Sequence, residues 1–136
     1  MYKCEHFDIE ELVPEDVFNE RGEKCWELLD EDILADLDTL RDLLGPLTIN
    51  DWKWGGGFQY SGFRPEGCGV GSKYSQHKLG KAFDLKSKDH TVKEMHAIIR
   101  DNEHRFCGIT RVEDKNGMTW LHVDGANRKG IYFFKP

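Results

Sequence analysis

The feature that most constrains this chain is a stripe of leucine and isoleucine between Asp30 and Leu44, where Ile33, Leu34, Leu37, Leu40, Leu43 and Leu44 recur at intervals of three and four. That spacing gathers the six side chains on one side of an α-helix and predicts a helix that must bury that side against another layer. Asp36, Asp38, Arg41 and Asp42 fall on the opposite face, which is expected to meet solvent. Gly45-Pro46 marks the end, because glycine accepts the turn after a helix and proline cannot continue one.

Around this helix the pattern changes from period three-to-four to period two. Leu12, Val13, Val17 and Phe18 around Pro14 predict a short first helix closed by Gly22, with proline suited to a first turn. Leu47-Thr48-Ile49 reads as a short strand, Phe58 to Phe63 as a second strand or extended segment, and Ala82 to Leu85 as a strand. A helix is expected from near Thr91 to Asn102, capped by Asp89 or Thr91, with Val92, Met95, Ile98 and Ile99 inward. Ile109 to Glu113 and Met118 to Asp124 flank Asn116-Gly117, the strongest short hairpin signal, and Ile131 to Phe134 supplies a final edge strand. Helices mixed with strands but without regular βα alternation predict an α+β fold: a small antiparallel sheet with helices packed on it.

With 136 residues, the chain is sized for one domain spanning 1–136. A formal charge of -6, without a basic cluster, sets a nucleic-acid partner against the overall field, so none is expected. The apolar runs are only a few residues long, against the ~20 that a membrane span requires, and a membrane partner is likewise not expected. Met1 to Glu5 does not open a charged-then-apolar leader. Cys4, Cys25, Cys68 and Cys107 stand apart without a CxxC pair and read as reduced structural thiols. Gly55 to Gly57 lacks the strand, spacing and Lys-Ser/Thr of a phosphate loop and reads as backbone permissiveness.

The residues that carry chemistry lie in two places. From Ser75 to Asp84 the chain sets His77 and Asp84 seven positions apart, with Gly80 between them to let the backbone bend back. Trp120-Leu121-His122-Val123-Asp124 then presents a second imidazole on a strand. Two histidines and an aspartate are three nitrogen and oxygen ligands of the kind zinc takes in catalytic sites, which keep a fourth position open for water. His6, His90, His96 and His104 have no such context, and His90 and His96 are expected on or beside an exposed helix face.

Taken together, Ser61-Gly62-Phe63-Arg64, the SxHxxGxAxD run from Ser75 to Asp84, and Trp120-x-His122-x-Asp124 resemble the zinc D-Ala-D-Ala carboxypeptidase and L-alanyl-D-glutamate endopeptidase family. The resemblance extends over nearly the whole chain, toward small phage-encoded, endolysin-like members, and implies the fold that the family shares with the Hedgehog signalling domain. It implies His77, Asp84 and His122 as zinc ligands and Arg64 as the cation that stabilises a developing oxyanion. It also implies peptidoglycan stem peptide as substrate and a lysin that waits in the host cytoplasm until the membrane is breached, or travels with the virion; a monomer is expected, though the sequence itself does not set the oligomeric state.

Many members carry a glutamate three residues before the last histidine, where this chain has Thr119. Two carboxylates are candidates for the vacated role of general base. With a two-residue Asn116-Gly117 loop, Glu113 would pair with Trp120 and sit diagonal to His122, at about 7–8 Å between Cα atoms. Asp124 shares the face of His122 because strand side chains alternate. Glu113 is slightly favoured, with Asp124 then orienting a ligand or binding the substrate amine. Trp52, Trp54, Tyr60 and Tyr74 are expected to divide between the core and the wall of a cleft. The alternative to a peptidase is a non-catalytic zinc module, for binding or structure, of a phage particle. In either case His77→Ala is expected to bring zinc stoichiometry toward zero by metal analysis, because two ligands hold the ion poorly; one equivalent retained would mean other ligands.

Overall fold

Each of the two longer helices begins at a side chain that satisfies an end donor. The Asp30 carboxylate accepts from the Ile33 N–H at 3.1 Å, and helix α2 follows over Glu31–Leu44 until Gly45, whose φ of 78° no other residue type adopts readily. Thr91, and not Asp89, caps α3 (Val92–Asp101): its hydroxyl accepts from the Glu94 N–H while the Glu94 carboxylate accepts from the Thr91 N–H. The short α1 (Glu15–Arg21) starts after Pro14 and ends at Gly22. Leu12 and Val13 lie just before it, fully buried. The computed structural model describes residues 1–126 and 129–136.

The fold is mixed α+β. Five strands, β1 (Leu47–Thr48), β2 (Ala82–Ser87), β3 (Arg111–Glu113), β4 (Leu121–Asp124) and β5 (Tyr132–Phe134), lie in the order β1-β2-β4-β3-β5. The Phe58 to Phe63 segment forms no strand and bends at residues 60–62. Three pairings are antiparallel, but β5 runs parallel to β3, so the sheet is mixed and not purely antiparallel as expected. The parallel direction follows from where β5 begins, with Tyr132 opposite Arg111, at the same end of the sheet where β4 finishes at Asp124.

One face of this sheet is the core. Phe83 and Leu85 of β2, Val112 of β3, and Leu121 and Val123 of β4 are fully buried with the α2 stripe of Ile33, Leu34, Leu37, Leu40 and Leu44. Alternation then turns Asp84 and His122 to the other face, and the register sets them directly opposite each other. The hydrophobic layer is thus what aims the two polar side chains together. No helix is long and apolar enough to cross a membrane among the described residues.

The expected solvent face of α2 is partly wrong. Asp36 and Asp38 are 1% and 6% exposed, because loop backbone has been laid over them and needs acceptors. Asp36 accepts the N–H groups of Cys107, Gly108 and Ile109 at 2.7–2.9 Å. Asp38 takes the Tyr2 hydroxyl at 2.6 Å and the N–H groups of Glu5 and His6, and the hydrogen bond to that carboxylate, with burial second, pushes the Tyr2 phenol far above its usual range. His96, expected near solvent, is also buried at 4%, since β5 passes beside α3 and sets Phe133 edge-on to its ring at 5.4 Å.

The hairpin register differs as well. Arg111 pairs with Asp124 and Val112 with Val123, a register whose continuation points Glu113 toward His122 and not toward Trp120. The turn at Asn116-Gly117 forms, with Gly117 at φ 79° and the Met118 N–H on the Lys115 carbonyl. The ladder does not zip down to it because the Asp114 N–H is drawn to Phe134 of β5 at 2.7 Å. Asp36→Ala would strand the three N–H donors of residues 107–109 and is expected to lower stability by about 3 kcal/mol or more. A urea midpoint shifted down at constant m-value checks this.

Candidate metal centre

His77 sits on a single 3-10 turn, Gln76–Leu79, opened by the Ser75 hydroxyl, which accepts the His77 N–H. Gly80 closes it with φ 70°, and a Cβ there would collide with the Leu28 carbonyl oxygen. Glycine is therefore required twice over, by torsion and by space. His77 is 3% exposed, and its Nδ1 lies 2.9 Å from the Gly62 carbonyl oxygen. A carbonyl only accepts, so Nδ1 holds the hydrogen and the Nε2 lone pair is left to face forward.

In front of Nε2 stands Asp84, with Oδ1 at 3.6 Å. The same oxygen is 2.8 Å from His122 Nδ1. His77, Asp84 and His122 each offer one ligand atom, and those atoms lie within 4.8 Å of one another. Behind His122, Nε2 is 2.8 Å from Asp124 Oδ2. Both imidazoles are thus held at the rear by an oxygen acceptor and present the other nitrogen to a shared point, the arrangement that orients histidine ligands in metal sites. This donor set of two nitrogens and one oxygen fits a divalent ion of the zinc type.

The charges follow from these contacts. Burial would raise the Asp84 carboxyl, but hydrogen bonds from His122 and His77 outweigh it and hold the group well below the usual carboxylate range. Burial would lower His122, yet its bonds to Asp124 and Asp84 push it up to about 9. Asp124 is depressed to about 2, burial being overcome by His122, Arg111 and the Ala126 N–H. An ion entering here displaces a proton from between two carboxylates.

The segment from Ser61 to Arg64 braces the centre residue by residue. The Ser61 carbonyl accepts the Asp84 N–H at 2.7 Å, the Gly62 carbonyl holds His77, and the Arg64 N–H bonds the His77 carbonyl. Gly62 has no room for a side chain, since a Cβ would strike the Leu12 carbonyl oxygen. The Arg64 guanidinium, 11% exposed, is tied by Nε to the Tyr60 carbonyl and lies 3.5 Å from Asp84 Oδ2 through Nη2.

The two candidate bases occupy different surroundings. Glu113 shares the face of His122 by register, is half-buried, and its carboxylate has no hydrogen bond or salt bridge among the described residues. Asp124 is fully buried, and both its oxygens are occupied by Arg111, His122 and Ala126. Of the four aromatic residues expected to divide between core and cleft, none is buried. Trp54, Tyr60 and Tyr74 are exposed, and Trp52 is half-buried, with Nε1 donating to the Val13 carbonyl and its ring beside Phe18. Tyr74 joins Glu66, Lys73, Ser75, Lys78 and Leu79 around a cavity of about 360 Å³ that flanks the His77 turn.

Sequence reasoning missed Arg111 and the Gly62 carbonyl. The alternation that sets Glu113 on the face of His122 also sets Arg111 there, so Arg111 was within reach of the pattern; a backbone acceptor carries no side-chain signal. No family model, curated protein or solved structure matches this chain.

A raised imidazole stabilises the fold fully below its ordinary value and loses that contribution as pH climbs through the folded one, while depressed carboxylates lose theirs as pH falls. With chelator present, the melting temperature is therefore expected to be highest between 3.8 and 6.5, the ordinary values of aspartate and histidine, and to decline up to about pH 9. His122→Gln should flatten that alkaline decline in thermal scans; an equally steep decline in the variant would mean that His122 is not the group responsible.

Proposed function

We propose that the chain is a zinc-dependent peptidase that hydrolyses an amide bond of peptidoglycan stem peptides, in the manner of the D-Ala-D-Ala carboxypeptidases and L-alanyl-D-glutamate endopeptidases that its motifs resemble. The observation that carries this reading is the convergence of His77 Nε2, Asp84 Oδ1 and His122 Nδ1, each imidazole anchored from behind. These three residues would hold the zinc, which when bound supplies Lewis acidity and a water acidic enough to be deprotonated near neutral pH.

The chain's own residues do the rest. Glu113 takes the proton from the attacking water: strand alternation puts it on the sheet face of His122, and its carboxylate makes no hydrogen bond or salt bridge among the described residues. The water oxygen joins the amide carbon, the C–N bond breaks, and the same carboxyl returns the proton to the departing amine. Arg64, held beside Asp84 by the Tyr60 carbonyl, offers positive charge to the amide oxygen as it becomes anionic. Asp124 has no free lone pair for proton transfer and serves to orient His122. Tyr74 and the cavity beside the His77 turn line a path for the rest of the peptide. The proposed setting is that of a phage lysin, free in the host cytoplasm or carried by the virion, on a Hedgehog-like fold.

One observation favours a second reading. Thr119, which stands where many members of the resembled family carry glutamate, lies exposed in the 114–120 loop outside the ladder, as suits a zinc module of a phage particle that has lost its base. Zinc-loaded protein incubated with purified peptidoglycan separates the two. Release of new amino groups, with fragments identified by mass spectrometry, is expected; none would favour the binding module. Glu113→Gln should lower that release at least ~10²-fold while zinc stoichiometry stays at the wild-type value. Wild-type release by the variant would remove Glu113 from the mechanism.

A further inference from the structure

Among the described residues, Arg111 is the one arginine or lysine that touches the carboxylate behind His122. Its Nε donates to Asp124 Oδ1 at 2.8 Å and its Nη2 to Oδ2 at 2.9 Å, the two-pronged match that a guanidinium makes and an ammonium does not. Oδ1 also accepts the Ala126 N–H at 3.1 Å, and Oδ2 also faces His122 Nε2 at 2.8 Å. Every in-plane position of a carboxylate only 1% exposed is therefore used. The guanidinium carbon stands 4.4 Å from the Phe134 ring centroid, and Phe134 in turn meets His122 edge-on at 6.2 Å. Arg111, Asp124, His122 and Phe134 close a ring of contacts at one side of the metal centre.

This ring has a directional effect. Asp124 can rotate about its side-chain bonds, and a rotated carboxylate would release His122 Nε2. The fork of Arg111 fixes the carboxylate plane, and the Phe134 face fixes the plane of the fork. Because an ionised carboxylate only accepts, Nε2 of His122 must carry hydrogen, which reserves Nδ1 for the side on which Asp84 and His77 converge. We infer that Arg111 is a positioning residue for metal binding: through Asp124 it fixes the plane and tautomer in which His122 presents Nδ1 as a ligand. The inference rests on the reading of His122 as a ligand, and reaches past it to a residue that touches neither metal nor substrate.

The test uses the full chain and reads metal binding in place of hydrolysis. Arg111→Met keeps the stem and removes the fork; Arg111→Lys keeps the charge without the two-pronged geometry. Zinc affinity is measured by competition with a chelating dye. The cobalt-loaded protein is followed by its visible absorption, and His122 by imidazole-nitrogen NMR of the zinc form. Wild type should bind one equivalent with His122 protonated at Nε2. Arg111→Met is expected to bind zinc about 10–100-fold more weakly, with an altered cobalt band, as loss of an outer-shell partner does. Arg111→Lys should fall between the two, because a positive charge alone does not define a plane. Adding Arg111→Met to Asp124→Asn should weaken binding little beyond Asp124→Asn by itself, since both act along one path.

If both Arg111 variants, folded by circular dichroism, match wild type in affinity, cobalt spectrum and tautomer, the inference is overturned while His122 remains a ligand. If Arg111→Met does not fold, Arg111→Lys decides alone by the same three readings. A wild-type protein that takes up no zinc would overturn the ligand reading itself, and the role of Arg111 with it.

Discussion

The bond from the Ser61 carbonyl to the Asp84 N–H, 2.7 Å long, is the seam on which the rest of the centre depends. β1 covers only the far end of β2, at Lys86 and Ser87, so the backbone of β2 beside Asp84 would otherwise lie open on that edge. Ser61 to Arg64 fills this gap without becoming a strand. In doing so it brings the Gly62 carbonyl to His77 and the Arg64 guanidinium to Asp84. A need of the sheet, an unpaired donor, is met by the same segment that shapes the polar face. Its glycine is as constrained as its arginine, one by lack of space and the other by charge.

Buried carboxylates recur through the molecule under one rule. Asp36 and Asp38 are saturated chiefly by backbone N–H groups, and Asp124 by a guanidinium, an imidazole and one N–H. A carboxylate removed from water is tolerated only with such a full complement. The difference in donors separates the roles. Backbone donors tie loops and the N-terminal segment to α2, whereas the side-chain donors, Arg111 and His122, meet Asp124 on the sheet face of the candidate metal centre.

How much could be read from the sequence varies with the range of the interaction. The α2 stripe, the Thr91 start of α3 and the cores of the five strands depend on neighbours a few positions away and lie where the pattern put them, whereas Phe58 to Phe63 forms no strand and β3 and β4 are shorter than expected. His77, Asp84 and His122 were legible because their residue types and spacing are unusual together, even though what joins them is strand register for Asp84 and His122 and the Gly62 carbonyl for His77. The burial of Asp36 was not legible: its partners are Cys107 to Ile109, far along the chain, and a polar residue on a polar helix face ordinarily meets water. His96 was misplaced for the same reason, since Phe133 covers it from β5, a strand the pattern shows but whose place beside α3 no local pattern sets. The register of Glu113 was lost to a turn signal at Asn116-Gly117 that is locally correct, because a bond from Asp114 to β5 overrides the zipping a tight turn would favour.

That uncoupled turn leaves the 114–120 loop independent of the strands beside the candidate metal centre. The alignment of β4 is held by four consecutive pairings with β2, from Ala82–Asp124 to Leu85–Leu121, and owes nothing to the length of the hairpin connection. Residues can be added or removed there without sliding His122 off Asp84. Trp120, about a third exposed, lies at the end of this loop and next to the strand that bears His122. The loop is accordingly a place where sequence drift, or deliberate grafting, can reshape what approaches the mouth of the centre while the atoms inside it keep their places.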